Sequence, residues 1–90
     1  MRVDKYLKVA RVLKRRAISK ELADNDRIIV NGRIAKPSTD IQVNDEITII
    51  FGNRSLKIKV IELAMHTKKE EASDLYEVIE ENRIETQKHE

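Results

Sequence analysis

The sequence predicts an α+β domain, with two N-terminal helices packed on a small antiparallel sheet and a further helix at the C-terminus. Three observations carry this. Apolar residues step with helical spacing from Val3 onward, Asn31-Gly32 sits between two β-rich arms, and Thr67-Lys68-Lys69-Glu70 matches a capping box ahead of a last helical stripe. Ninety residues suffice for one core, because a chain of this size buries too little surface to divide it between two folding units.

In the first segment Val3, Tyr6, Leu7, Ala10, Leu13 and Ala17 fall within one arc of a helical wheel, and Arg2, Lys5, Lys8, Arg11, Arg15 and Arg16 occupy the opposite arc. Lys14 is the one cation inside the apolar arc, so a single continuous helix is not expected to run through it. A second register, Ile18, Leu22 and Ala23, carries a short helix to Asp24-Asn25-Asp26, residue types that tolerate a left-handed helix end. Within "RVLKRRAISKEL" the expectation is that Leu13, Ala17, Ile18 and Leu22 are core while Arg11, Arg15, Arg16 and Lys20 face outward.

"RIIVNGRIA" reads as a hairpin closed by Asn31-Gly32, since both central positions of such a two-residue turn need positive φ. "KPSTDIQVND" reads as a loop. In "EITIIFGNRSLKIKVIEL" two alternating arms flank a turn at Gly52-Asn53, giving about four strands in all. Behind the capping box, Ala72, Leu75, Tyr76 and Ile79 recur at helical spacing and predict a helix over about 68–82 whose apolar stripe docks on the body. The closing "IETQKHE" has no pattern and is expected to fray. The expected organisation is a body over residues 1–63 and an acidic helix with a frayed tail over 64–90.

Charge separates along the same line. Residues 1–69 hold 16 Lys or Arg against 8 Asp or Glu, net +8, and residues 70–90 hold 2 against 8, net −6, which together give the overall +2. In residues 1–20 eight cations face Asp4 alone. A local excess of this size repels itself in isolation and calls for a polyanion such as nucleic acid or an anionic membrane. Lys and Arg displayed on one face of a core-anchored helix suit RNA, where neutralising phosphates releases condensed counterions. Arg2, Arg15 and Arg16 rank above Lys5, Lys8, Arg11 and Lys20, because a guanidinium can bridge two phosphate oxygens. Asp4 would repel phosphate and reads as a helix-start residue or as an orienting partner for a neighbouring Arg. The aromatics are only Phe51, Tyr6 and Tyr76, so recognition should rest on backbone and RNA shape more than on base stacking.

Other chemistries find little material. The chain has no cysteine, which removes disulfides, thiol catalysis and Cys-based zinc sites and fits a reducing compartment. His66 and His89 are isolated, and Glu70-Glu71 and Glu80-Glu81 lie on a predicted exposed helix without a pocket. No glycine-rich phosphate loop occurs. Neither a metal, a cofactor nor a catalytic residue is expected. Arg33 and Lys36 are at best secondary phosphate contacts. No apolar run approaches membrane-spanning length and no secretory signal is evident, so the expectation is a soluble, cytoplasmic protein that does not engage a membrane.

The stretch over about residues 2–50 resembles the S-four RNA-binding domain, named after small-subunit ribosomal protein four. The resemblance is carried in order by Arg2-x-Asp4-Lys5-x-Leu7, Arg16 with Ala17 and Lys20, Val30-Asn31-Gly32, and Asp45-x-Ile47. It implies the S-four-type (alpha-L) fold, with Arg2 and Arg16 at RNA-contacting positions. The domain is found fused to pseudouridine synthases, RNA methyltransferases and tyrosyl-tRNA synthetases, but only about 40 residues lie outside it here, too few for any of them. Through "FGNRSLKIKVIEL" and "TKKEEASDLY" the sequence is similar to the stand-alone RqcP family, relatives of the small heat-shock S-four protein. That similarity implies a non-enzymatic factor of bacterial ribosome-associated quality control. Its partners would be rRNA and tRNA of the obstructed large subunit, and it would assist RqcH in alanine tailing as a monomer off the ribosome. A general ribosome- or tRNA-binding accessory protein is the alternative, as is a regulatory subunit that binds protein through its last helix. Three positions depart from the family. Asp26 and Asn44 stand near positions that usually hold Gly, where both types tolerate positive φ, and Arg15 stands where Ser or Thr usually caps the second helix.

Overall fold

The computed structural model describes residues 1–83. Helices α1 (Val3–Val9) and α2 (Arg16–Asp24) precede strands β1 (Ile28–Val30), β2 (Arg33–Ile34), β3 (Glu46–Phe51) and β4 (Arg54–Val60); a 3-10 segment (Lys69–Leu75) then leads into β5 (Tyr76–Arg83). The five strands form one sheet in the order β2-β1-β3-β4-β5, every pair antiparallel. The core lies between this sheet and the helices. Tyr6 and Leu7 of α1 are fully buried with Ile28, Ile47, Ile49, Ile58 and Val60 of the strands and Ile41 of the loop. On β3 and β4 the inward residues alternate with half-buried Thr48, Lys57 and Lys59, the period-two pattern of a sheet with one covered face.

Both helices stop in the same way. Arg11 N–H bonds Lys8 C=O at 3.0 Å and Val12 N–H bonds Leu7 C=O at 3.0 Å; at the second end, Asp26 N–H bonds Ala23 C=O at 3.1 Å and Arg27 N–H bonds Leu22 C=O at 2.8 Å. These are Schellman motifs, and each needs a left-handed residue just past the helix. Arg11 (φ 59°) and Asp26 (φ 60°) supply it. The expectation for Asp26 holds, and Asn44 (φ 80°) likewise takes the conformation foreseen for it. The helix break sits earlier than Lys14, because the chain turns at Arg11. The restart at Arg16 also shifts the helical phase. Ala17 is exposed and Ile18 is 41% exposed, contrary to expectation, while Ser19 and Ala23 face inward and Leu22 packs at the edge of the core.

The turn Asn31-Gly32 has positive φ at both residues (51° and 82°), as a two-residue hairpin of this type requires. The Asn31 side chain does more than turn the chain: its Oδ1 accepts Glu46 N–H at 2.9 Å and its Nδ2 donates to Asp45 Oδ1 at 3.1 Å. Asp45 Oδ2 in turn accepts Gln42 N–H at 2.8 Å. Two of the sequence elements that mark the family therefore clasp the first hairpin to the start of β3.

The C-terminal helix expected over 68–82 does not form. Lys68 is extended, no side chain caps the following turn, and Thr67 Oγ1 donates only to Lys68 C=O, at 3.4 Å. Ala72 and Leu75 are buried from the 3-10 segment, after which Tyr76–Arg83 runs as a strand beside β4. Its register sets Glu77 opposite Lys59 and Glu80 opposite Lys57, and slips by one residue at Ile79. Opposite charges across the ladder, together with Tyr76, Val78 and Ile79, favour a strand, and β5 covers an edge that β4 would otherwise leave unpaired. The 3-10 segment is fastened to the first helix by Tyr6, whose hydroxyl donates to Leu75 C=O. Burial, with Tyr76 nearby, pushes the Tyr6 phenol above the ordinary tyrosine range. The tail "IETQKHE", including His89, lies outside the described residues.

Candidate nucleic-acid interface

The basic side of the molecule is organised around one buried carboxylate. Asp4 in the first turn of α1 is 2% exposed. Arg2 grips it with both arms of the guanidinium, Nε at 3.2 Å from Oδ1 and Nη2 at 3.1 Å from Oδ2. From the start of α2, Arg16 Nε approaches Oδ2 at 3.4 Å. A carboxylate in this position balances the desolvation of its own burial with two cations. It also fixes the direction of two long side chains that would otherwise sample many rotamers. Both guanidinium side chains remain about half exposed (48% and 47%), so each still offers donors to solvent. The orienting role considered for Asp4 is the one seen, and it joins residues from two helices.

Beside this triad lies a groove of about 460 Å³ between α1, the 10–15 turn and the segment after β4. Lys5, Lys8, Arg11, Lys14 and Arg16 line it, and no Asp or Glu does. Val9 and Leu13 form its apolar floor, and Met65, His66 and Thr67 its far wall. Five cations around one concavity raise the local potential well above that of a flat surface, because low-dielectric walls focus the field.

The structure thus brings Lys5, Lys8, Arg11 and Arg16 together, with Arg2 tied to them through Asp4. Arg15 is exposed at the N-cap of α2, makes no side-chain cap there, and stands outside the groove lining. The cap is given up, as its departure from Ser or Thr foretells. Lys20 points away, its Nζ bonded to Asp24 at 3.1 Å, four residues along α2. Arg33 lines a separate hollow with Val30 and Ile34.

Sequence reasoning missed Lys14 and the 65–67 wall. Lys14 had a signal: a cation in an apolar arc marks a helix that has already ended, and past the end its side chain is free to turn outward. Met65, His66 and Thr67 had none, since they reach the groove only because β4 returns the chain to α1. Among the described residues no helix is long and apolar enough to cross a membrane, and no group of three His, Cys, Asp or Glu converges as a metal site.

Comparison with known proteins gives the context for this geometry. The model of the S4 domain matches residues 1–47. The chain is 56% identical over 85 residues to the RQC P-site tRNA stabilizing factor of Streptococcus pneumoniae, covering 94% of this chain and 97% of that one. It is 46% identical over 84 residues to the factor of the same name from Bacillus subtilis, with 93% and 98% covered. Among solved structures, Heat Shock Protein 15 of Vibrio cholerae, described as trimeric, matches with a TM-score of 0.80 at 28% identity, over 87% of this chain and 80% of that one. The fold, the order of the sequence elements and these likenesses along almost the whole chain agree, and the protein belongs to the S4 domain family.

Proposed function

We propose that the protein is a non-catalytic RNA-binding factor of bacterial ribosome-associated quality control. It binds the obstructed large ribosomal subunit and its peptidyl-tRNA in the cytoplasm and assists RqcH in adding C-terminal alanine tails. The observation that carries the RNA-binding part is the groove ringed by Lys5, Lys8, Arg11, Lys14 and Arg16 with no carboxylate in its lining, next to an Arg2–Asp4–Arg16 triad. The near-full-length likeness to RQC P-site tRNA stabilizing factors supports the cellular setting. RNA-contacting residues are then Arg2, Lys5, Lys8, Arg11, Lys14 and Arg16, with Arg15 and Lys20 at the periphery. Residues 1–63 form the RNA-binding body, and residues 64–83 brace it. The alternative of a protein-binding C-terminal helix loses its element, because that segment is a 3-10 turn and a sheet strand.

The design of the test follows from Asp4. Replacing Arg2 and Arg16 together by Ala strands a buried carboxylate, so lost binding could reflect lost folding. Lys8 and Lys14 are exposed and make no ion pair among the described residues, so the double reversal Lys8→Glu, Lys14→Glu changes the groove alone. Co-sedimentation with large subunits should fall on the order of 100-fold with an unchanged melting curve. If about six phosphates are neutralised, wild-type affinity should follow salt with a log–log slope of about −4. Undiminished co-sedimentation of the folded variant, or a slope near zero, overturns the proposal.

A further inference from the structure

The groove is concave and partly apolar, two features that phosphate binding alone does not require. A phosphodiester chain is held well by cations on a convex helix face, yet here the cations ring a hollow of about 460 Å³, within the roughly 300–1,000 Å³ of sites that enclose small organic ligands. Its floor is apolar, with Val9 of α1 only 8% exposed and Leu13 half-buried. Its far wall presents Met65, a large apolar side chain left 57% exposed beside the ring of cations. The neighbouring His66 and Thr67 add hydrogen-bonding groups to the same wall. A rim of positive charge over an apolar bed, with a polarizable thioether at one side, complements a nucleotide better than a bare phosphate. Thioether sulfur makes favourable contacts with aromatic rings, and single-stranded RNA presents unstacked bases to such surfaces.

We propose that this groove takes one unstacked nucleotide of the bound RNA. Its phosphate lies against Lys8, Arg11 and Lys14, its base or ribose on Val9 and Leu13, and Met65 closes over it. The inference rests on the RNA-binding reading above and extends it from the α1–α2 face to residues 65–67, outside the span matched by the S4 domain model. It also qualifies the expectation that a chain poor in aromatics relies on backbone and RNA shape more than on base stacking, since Met65 takes the place an aromatic ring would hold.

Two substitutions in the full-length chain separate the inference from its premise. Met65→Ala removes the thioether from an exposed position, and Lys8→Ala removes a phosphate contact. The probe is a purified tRNA carrying 2-aminopurine at one unpaired position at a time, whose fluorescence reports unstacking and capture. Wild-type protein should change the signal at one position and not at the others. Met65→Ala should abolish that change and weaken binding about three- to tenfold with an unaltered salt slope, whereas Lys8→Ala should weaken binding and make the slope shallower. If Met65→Ala binds and reports like wild type while Lys8→Ala is impaired, the nucleotide pocket is wrong and the RNA-binding reading stands. If neither substitution changes binding, both fail.

Discussion

Cations on the two sides of this molecule are treated oppositely. On the sheet, Lys57 faces Glu80 and Lys59 faces Glu77 across the β4–β5 ladder, and Lys57 Nζ also reaches Glu46 at 3.2 Å. On the helical side Lys5, Lys8, Arg11 and Lys14 have no acidic partner among the described residues. Asp4, at the start of α1, is sunk beneath Arg2 and Arg16, where it aims them without presenting its own charge to a ligand. A count of Lys and Arg cannot tell these regions apart. What separates a structural cation from a ligand-binding one is the strand or helix laid beside it, and the acidic C-terminal segment is spent on neutralising the sheet.

Three variants would break or sharpen that contrast. The largest effect is expected for Asp4→Ala, which touches both stability and binding. Losing the charged hydrogen bonds of Arg2 and the ion pair with Arg16, both half-exposed, should cost about 2 kcal/mol of unfolding free energy, read by urea denaturation. RNA affinity should fall as well, although the change makes the protein more positive; an affinity gain would show that Asp4 merely dilutes the charge. Next comes the reversal Lys57→Glu, Lys59→Glu. It sets like charges opposite each other and should destabilise the sheet by about 1 kcal/mol while leaving co-sedimentation with large subunits unchanged. Reduced RNA binding by this folded variant would make the sheet part of the interface. The smallest effect is expected for Arg11→Gly. A left-handed conformation costs a non-glycine residue roughly 1–2 kcal/mol, partly offset by the greater backbone entropy of glycine in the unfolded chain. The variant should therefore be about 0.5–1 kcal/mol more stable and yet bind RNA less tightly. Unchanged binding would remove Arg11 from the groove's contacts.

Arg11 also shows where the sequence was legible and where it was not. At the end of α2 the residue types agree with the geometry: Asp24-Asn25-Asp26 announces a left-handed stop, and Asp26 makes it. At the end of α1 an arginine adopts the same φ with no compositional warning, so the sequence pattern puts the break at Lys14, three residues late. Period-two alternation and the Asn31-Gly32 and Gly52-Asn53 turns disclosed β1 to β4, because each is a local pattern. The last strand escaped because its cause is not local. Ala72, Leu75, Tyr76 and Ile79 have helical spacing, and only the matching charges and open edge of β4, some twenty residues earlier in the chain, decide for a strand. The candidate site divides likewise. That most of the cations face outward could be read from helical phase. That Asp4 couples Arg2 to Arg16, and that residues 65–67 wall the groove, required the chain to be folded.

The bond from Tyr6 to the backbone of Leu75 carries a consequence for how the molecule is made. It joins partners 69 positions apart, and the hydroxyl concerned is sealed in the core with no water to replace its acceptor. Helix α1 therefore cannot finish its interior until the 3-10 segment has been synthesised. Assembly should be governed by that long-range closure, giving a slower and more all-or-none transition than two short helices and local hairpins would suggest. A nascent or truncated chain stopping before the 3-10 segment would expose both an open sheet edge and an unsatisfied phenol, the kind of half-built surface that chaperones and proteases recognise.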